Sequence, residues 1–494
     1  MKMIVRICTC IMLAAAAISC TDFEELNLDP NKPTETSPQL LLTTACWDIF
    51  SEFDNFQYES RMIVATDGES SEQFYNWTRG DFNFYDDLRN IQKLEEESVR
   101  VSSDAYLALA NFFKAWYFYN LTIKYGDIPF SEALQGETNE IYSAKYDTQE
   151  DVFVGILKLL KEADALLDGN SEIIDGDILN EGSLDKWQKL VNAFRLKVLL
   201  SLSHKSTVGG ETIASSFASI YSGKALMNDV SESTQIIFLD QSGSRYLNFN
   251  SSSFGSGLYM DSTFVQKLID REDPRLFVYC TQTPNALKAG KAVNDFSSYE
   301  GGNPTVQYSL VNEKAVAGNI SKPNARYYDD PVCESMLLLG YPEQQFIIAE
   351  AILRGWISGD AKAEYNKGIK ASFAFFAEQA STKNYSSYLS TEASDQYLLN
   401  SFVDLDQVSS VEMKISYVIT QKYLQTYFQA GKTPFFEQRR TGYPNFETAS
   451  GVSIPNRWMY PQTEYDYNNT NVTEAVTRQF GGKDDIRETP WYLK

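Results

Sequence analysis

Between Pro342 and Gln379 apolar residues recur every three or four positions. Phe346, Ile347, Leu353 and Ile357 form a stripe interrupted by one carboxylate, Glu350, as on one face of a helix. Ser358-Gly359-Asp360 reads as the stop, with glycine left-handed and Asp360 capping the next helix. That second helix turns Tyr365, Ile369, Ser372, Phe373 and Phe376 inward. The two make a hairpin about 20 Å tall, at ~1.5 Å per residue. A lone hairpin cannot bury its own apolar face, so it requires neighbours of the same kind.

The same periodicity predicts helices over 39–53, opened by Ser37-Pro38, and over 86–100, 103–125, 148–167, 184–205 and 411–430. Tyr106, Leu109, Phe113, Trp116, Tyr117 and Leu121 give the third of these a wide apolar face. Val152, Phe153, Ile156, Leu160 and Ala163 stripe the fourth. About eight to ten helices alternating as pairs predict a mostly α fold. Some pairs resemble tetratricopeptide units, without a strict 34-residue period. One body over 38–494, a helical-hairpin stack with long irregular loop insertions, is the expected organisation.

Three regions break the pattern. Arg61–Tyr85 has no helical stripe and mixes Phe74, Tyr75, Trp77, Phe82, Phe84 and Tyr85 with Asn, Asp and Arg. Helices thin out over about 228–324, where FNSSSFGSGL and SSYEGGN are loop compositions. The tail from Thr441 reads as irregular and Pro/Asn-rich. Long aperiodic segments in a compact body are more often functional than idle. The candidate ligand-binding residues are therefore Tyr75, Asn76 and Trp77, with Asp67 and Arg79 nearby, and then Tyr299 and Tyr308. Aromatic faces stack on sugar rings, while Asn, Asp and Arg hydrogen-bond hydroxyls in fixed directions. The acidic loop 168–181 lacks the glycine and terminal glutamate of a calcium loop, and no metal is expected.

The N-terminus adds an address. MKMIVR and an apolar run from Ile7 to Ile18 read as a secretory signal peptide over 1–19, and Ala17-Ile18-Ser19-Cys20 resembles the lipobox of bacterial lipoproteins, which implies Cys20 as the acylated first residue. Residues 20–37, rich in Pro, Asn and Asp, read as a tether. The acidic run after Cys20 resembles an export signal for the cell surface. A net charge of −23 argues against nucleic acid and suits neutral or cationic ligands. Cys46, Cys280 and Cys333 have neither disulfide-framework nor zinc-type spacing.

His204 is the only histidine, which excludes HExxH and multi-histidine zinc sites. No phosphate-binding loop or dinucleotide fingerprint occurs, and no cofactor is expected. Carboxylate pairs for glycoside hydrolysis stay open, because their separation is invisible in a sequence.

Asn27-Leu-Asp-Pro-Asn-Lys-Pro-Thr34, Tyr125-Gly-Asp-Ile-Pro129, Gly176-Asp177 with Lys186-Trp187, Asn192-Ala-Phe-Arg195 and Asp273-Pro-Arg-Leu276 occur in order. Ala349-Glu-Ala-Ile-Leu-Arg-Gly355 and Ile454-Pro-Asn-Arg-Trp-Met-Tyr-Pro461 follow, with Gly481-Gly482 and Asp484 near the end. Together these resemble the SusD/RagB family of nutrient-binding outer-membrane lipoproteins, and its SusD-like subgroup in particular. The resemblance implies a tetratricopeptide-built fold that caps a SusC-like TonB-dependent transporter and delivers oligosaccharides, or in some members peptides. A binding protein without catalysis is the expected function. A peptide-binding member and a glycoside hydrolase are the alternatives.

Overall fold

The computed structural model describes residues 35–50, 57–429 and 431–494. The signal-peptide and Cys20 readings, and most of the tether, lie outside these residues. The α-helices of nine or more residues among those described are α1 (Pro38–Asp48), α2 (Phe84–Arg100), α3 (Asp104–Tyr125), α4 (Gln149–Leu167), α5 (Leu184–Ser201), α6 (Ile213–Gly223) and α7 (Ser262–Asp270). They continue as α8 (Tyr308–Val316), α9 (Tyr341–Leu353), α10 (Ala361–Glu378), α11 (Val411–Leu424), α12 (Thr433–Thr441) and α13 (Asn469–Phe480). No described helix is long and apolar enough to cross a membrane.

Local chemistry sets the helix starts. Ser103, Thr148, Ser183, Asp360 and Ser410 each accept a backbone N–H from the first turn that follows, removing one orphan donor. Successive helices then pack as neighbours: α1 on α2, α2 on α3, α3 on α4, α4 on α5 and α5 on α6. The stack continues where α9 packs against α5, α10 and α11. α9 is buried from Pro342 to Ala351, so its neighbours enclose it and its apolar stripe is only part of the contact. The mostly α hairpin stack is thus the observed architecture.

Two expectations need correction. α9 ends at Leu353, and the left-handed residue after it is Gly355 (φ +73°), not Gly359. The connection to α10 therefore runs from Arg354 to Asp360. The tail also holds a real helix. Val472, Ala475, Val476 and Phe480 bury one face of α13, which Gly481 closes in the left-handed region; the Asn-rich first turn hides that stripe.

The insertion is stitched to the body by short antiparallel pairs. Ile63–Ala65 pairs with Leu258–Met260, and Thr234–Ile236 with Met336–Leu339.

Several polar residues of the sequence motifs are buried fasteners. Arg440 on α12 makes a two-pronged contact with Glu350 on α9, at 2.6 and 2.7 Å, and also holds Glu437. Lys422 joins Glu437 (3.1 Å) to Glu343 (3.3 Å), which Lys197 reaches at 3.0 Å. Four helices thus share one ionic knot: α5, α9, α11 and α12. Asp273 and Arg275, both fully buried, pair at 2.6 Å beneath Gln421. Asp177 accepts N–H groups from Leu179, Asn180 and Gly182 and from the Trp187 indole, so this acid of the 168–181 loop is a turn organiser. Asp127 caps α4 through the Gln149 N–H and pairs with Arg478 of α13 at 2.6 Å; burial still pushes it up to about 6.

Candidate ligand-binding site

The segment Ser71–Asp81 lies between two clefts that share Asn76. One turn at Ser70–Tyr75, with Asn76 N–H donating to the Ser71 carbonyl at 3.0 Å, ends in Tyr75 at φ +53°. A non-glycine residue there is uncommon. The kink sends Tyr75 into the core and leaves Asn76 in solvent. Tyr75 is completely buried, donates its hydroxyl to the Glu59 carbonyl (2.8 Å) and lies under the Arg61 guanidinium at 4.0 Å. Burial raises its hydroxyl pKa.

Trp77, 5% exposed, stacks on Trp458 at 4.7 Å with rings 16° apart, and its indole N–H donates to the Arg457 carbonyl. Phe435 closes both rings edge-on. Arg79 donates to Asp484 (3.0 Å) and to the Tyr460 carbonyl (2.7 Å), with its guanidinium 4.5 Å from the Tyr465 ring. Asp484 also pairs with Arg457 at 2.6 Å. Loop, IPNRWMYP stretch and tail are thereby locked together.

The first cleft, about 380 Å³, is polar: Glu72, Asn76, Thr78, Arg79 and Asp81 face Lys124 and Lys432 over the Trp77 and Trp458 edges. The second, about 320 Å³, is mixed. Phe74, Pro304, Ala449 and Val452 give it apolar walls, and Glu69, Asn76, Thr305, Gln307 and Arg487 supply hydrogen-bonding groups. An aromatic face among directed polar groups suits a ligand with alternating apolar and hydroxyl-bearing faces.

The sequence-derived candidates therefore divide. Asn76 lines both clefts and Arg79 lines one. Trp77 lines the first cleft and Tyr75 the second, but these two rings and Tyr299 are buried, so the structure does not hold their faces open to a ligand as the sequence reading expected. Their faces are already covered, because burying a large ring against other rings outweighs leaving it in water. Tyr299 is 4% exposed, lies 5.7 Å from Phe277 and donates to the Val293 carbonyl. Tyr308 is exposed at the start of α8, adjacent in sequence to Gln307 of the second cleft. Asp67 is exposed and lines neither cleft; it lies against Gly257, where a Cβ would come within 2.1 Å of its carboxylate.

Phe74, named among the loop aromatics but not singled out, and Gln307 and Arg487, not named at all, line the second cleft. Phe74 had a signal: if Tyr75 points inward, its two neighbours face out. Arg487, more than 400 residues further on, had none.

The lone histidine, the buried acid Asp261 and the described cysteines lie away from both clefts. The His204 ring donates from Nε2 to the Arg440 carbonyl at 2.7 Å. Asp261, which burial pushes up to about 7, caps α7 through the Thr263 N–H and lines neither cleft. Cys46, Cys280 and Cys333 are buried thiols.

Comparison with known proteins agrees with this architecture. Residues 30–461 match a SusD-like family model described as starch-binding and associating with the outer membrane. No curated protein sequence matches. A SusD homologue from Bacteroides fragilis NCTC 9343 is 48% identical, with a TM-score of 0.89 over 93% of this chain and 100% of its own. A protein from Bacteroides vulgatus ATCC 8482, whose description proposes a nutrient-binding outer-membrane role, is 50% identical over the same shares, also at 0.89. A chitin-binding SusD homologue from Flavobacterium johnsoniae shares the fold at 18% identity, covering 92% and 98% of the two chains with a TM-score of 0.73. The chain belongs to the SusD-like family, the starch-binding group associated with the outer membrane.

Proposed function

We propose that this protein is a cell-surface outer-membrane lipoprotein, anchored through Cys20. In this reading it binds nutrient oligosaccharides at the paired clefts beside Ser71–Asp81 and passes them, chemically unchanged, to a SusC-like TonB-dependent transporter. The observation that carries the binding site is the second cleft, where the Phe74 ring lies among Asn76, Thr305, Gln307 and Arg487. A sugar ring would stack on the aromatic side chain while its hydroxyls meet side chains held by the loop turn. The acyl anchor rests on the Ala17-Ile18-Ser19-Cys20 stretch, and the transporter partner on family membership.

Isothermal titration against starch- and chitin-derived oligosaccharides tests this reading. Phe74→Ala and Asn76→Ala are each expected to weaken the best-binding glycan about tenfold, or ~1.4 kcal/mol, without changing the melting temperature. Unchanged affinity in both variants sinks the placement. Prolonged incubation with the same glycan should return it intact. Products of cleavage would overturn the non-catalytic reading, and saturable binding of peptides alone would replace the ligand class.

A further inference from the structure

α4 has a second patterned face. Its core stripe, Val152, Phe153, Ile156, Leu160 and Ala163, faces inward. The opposite side, Val154, Leu157, Lys158 and Lys161, forms one wall of a cleft of about 230 Å³ completed by α5, α6 and the hairpin at 207–212.

The cleft is graded along its length. At one end Gly209 of the hairpin packs on Val154, and Val208 and Leu199 supply buried aliphatic surface. The other end is set by Asp164, one turn beyond Lys161, where Arg195 of the antiparallel α5 arrives. Arg195 is only 9% exposed and hydrogen-bonds through Nη1 alone, to Asp164 at 3.3 Å and Asn192 at 2.9 Å. Its Nε and Nη2 donate to nothing among the described residues. Lys161 likewise makes no ion pair there, and Lys158 reaches Glu162 only at 3.8 Å. Asp164 is already held by Lys224 at 2.6 Å, so the carboxylate does not cancel all the positive charge around it. Of the acids at the hairpin end, Glu150 accepts the Gly209 N–H at 3.1 Å, and Glu211, which lines the cleft, accepts the Ser216 hydroxyl. No aromatic ring lines the cleft, unlike the site beside Ser71–Asp81.

We propose that the cleft between α4, α5 and α6 binds a small amphipathic anion, its carboxylate against Arg195 and Lys161 and its aliphatic body on Val154, Leu199 and Val208. A guanidinium edge in the cleft favours a carboxylate, and the aliphatic walls favour a saturated chain over a sugar. The idea is independent of the oligosaccharide reading and concerns a different surface.

Titrating the full chain with sodium octanoate, 1-octanol and acetate tests it. Octanoate is expected to bind saturably with one site. The alcohol, lacking charge, and acetate, lacking a body, should each bind at least about tenfold more weakly. Lys161→Glu on the exposed face should weaken octanoate at least about fivefold, and Ser216→Trp, filling the cleft, should abolish binding with the circular dichroism unchanged. Equal binding of octanoate and octanol, no saturable binding, or octanoate affinity unmoved in both variants would each overturn the proposal.

Discussion

Arg440 and Arg79 each grip a carboxylate, but in different surroundings. Arg440 meets Glu350 where both side chains are at most 2% exposed, inside a knot that also holds Glu437, Lys422, Glu343 and Lys197. Arg79 meets Asp484 on the wall of a cleft, with 31% of its side chain in contact with water. A fully buried charge cannot be left unpaired, so every member of the knot depends on the others. A cleft-wall charge can lose its partner to solvent and still be hydrated. The scaffold therefore uses ions to fix four helices against one another, whereas the loop face keeps charged groups in contact with water.

The largest effect should come from breaking the knot. Glu350→Ala strands Arg440 in the interior and is expected to destabilise the fold by about 3–5 kcal/mol, read by chemical denaturation. A loss below about 1 kcal/mol would mean the knot is not a fastener. Trp77→Ala comes next, at about 3 kcal/mol, because a stacked, buried ring leaves a cavity against Trp458. If Trp77→Ala instead kept its stability and lost only ligand affinity, the assignment of Trp77 to the core would fail.

Acid and base should separate the regions further. Burial alone would raise Glu437, yet Arg440 and Lys422 hold it down at about 2. Its contribution is complete above the ordinary glutamate range and disappears as pH falls through about 2. Asp261 is opposite in sign. Burial lifts it to about 7 against the pull of Arg61, so folding takes up a proton and stability declines as pH rises from about 4 to about 7. Asp261→Asn, which keeps an oxygen for the Thr263 N–H, should flatten that decline in melting temperature measured across the same range. A variant with the wild-type slope would assign the decline elsewhere. The smallest effect is expected at Tyr308, exposed at the start of α8: its alanine variant should change stability by no more than about 0.5 kcal/mol.

Much of the scaffold was legible because its signals are local. A stripe recurring every three or four residues, a Ser, Thr or Asp ahead of it and a stop after it suffice to place α3, α4 and α10 within a residue or two. α13 escaped because its Asn-rich first turn masks the stripe. Glu350 stood out as the polar interruption of an apolar face, but its partner Arg440 is ninety positions away and carries no local mark.

The loop face was legible only as a region. Arg61–Tyr85 was recognisable as aperiodic and aromatic, yet composition cannot say which rings turn inward. That depends on the left-handed kink at Tyr75 and on Trp458, Phe435 and Arg487, all distant in sequence. By itself, then, the sequence determined the helix periods, the caps and family membership, since each rests on neighbouring residues or ordered motifs. Only the tertiary structure decided which side chains pair in the core and which line the clefts, because burial is settled by what the rest of the chain brings alongside.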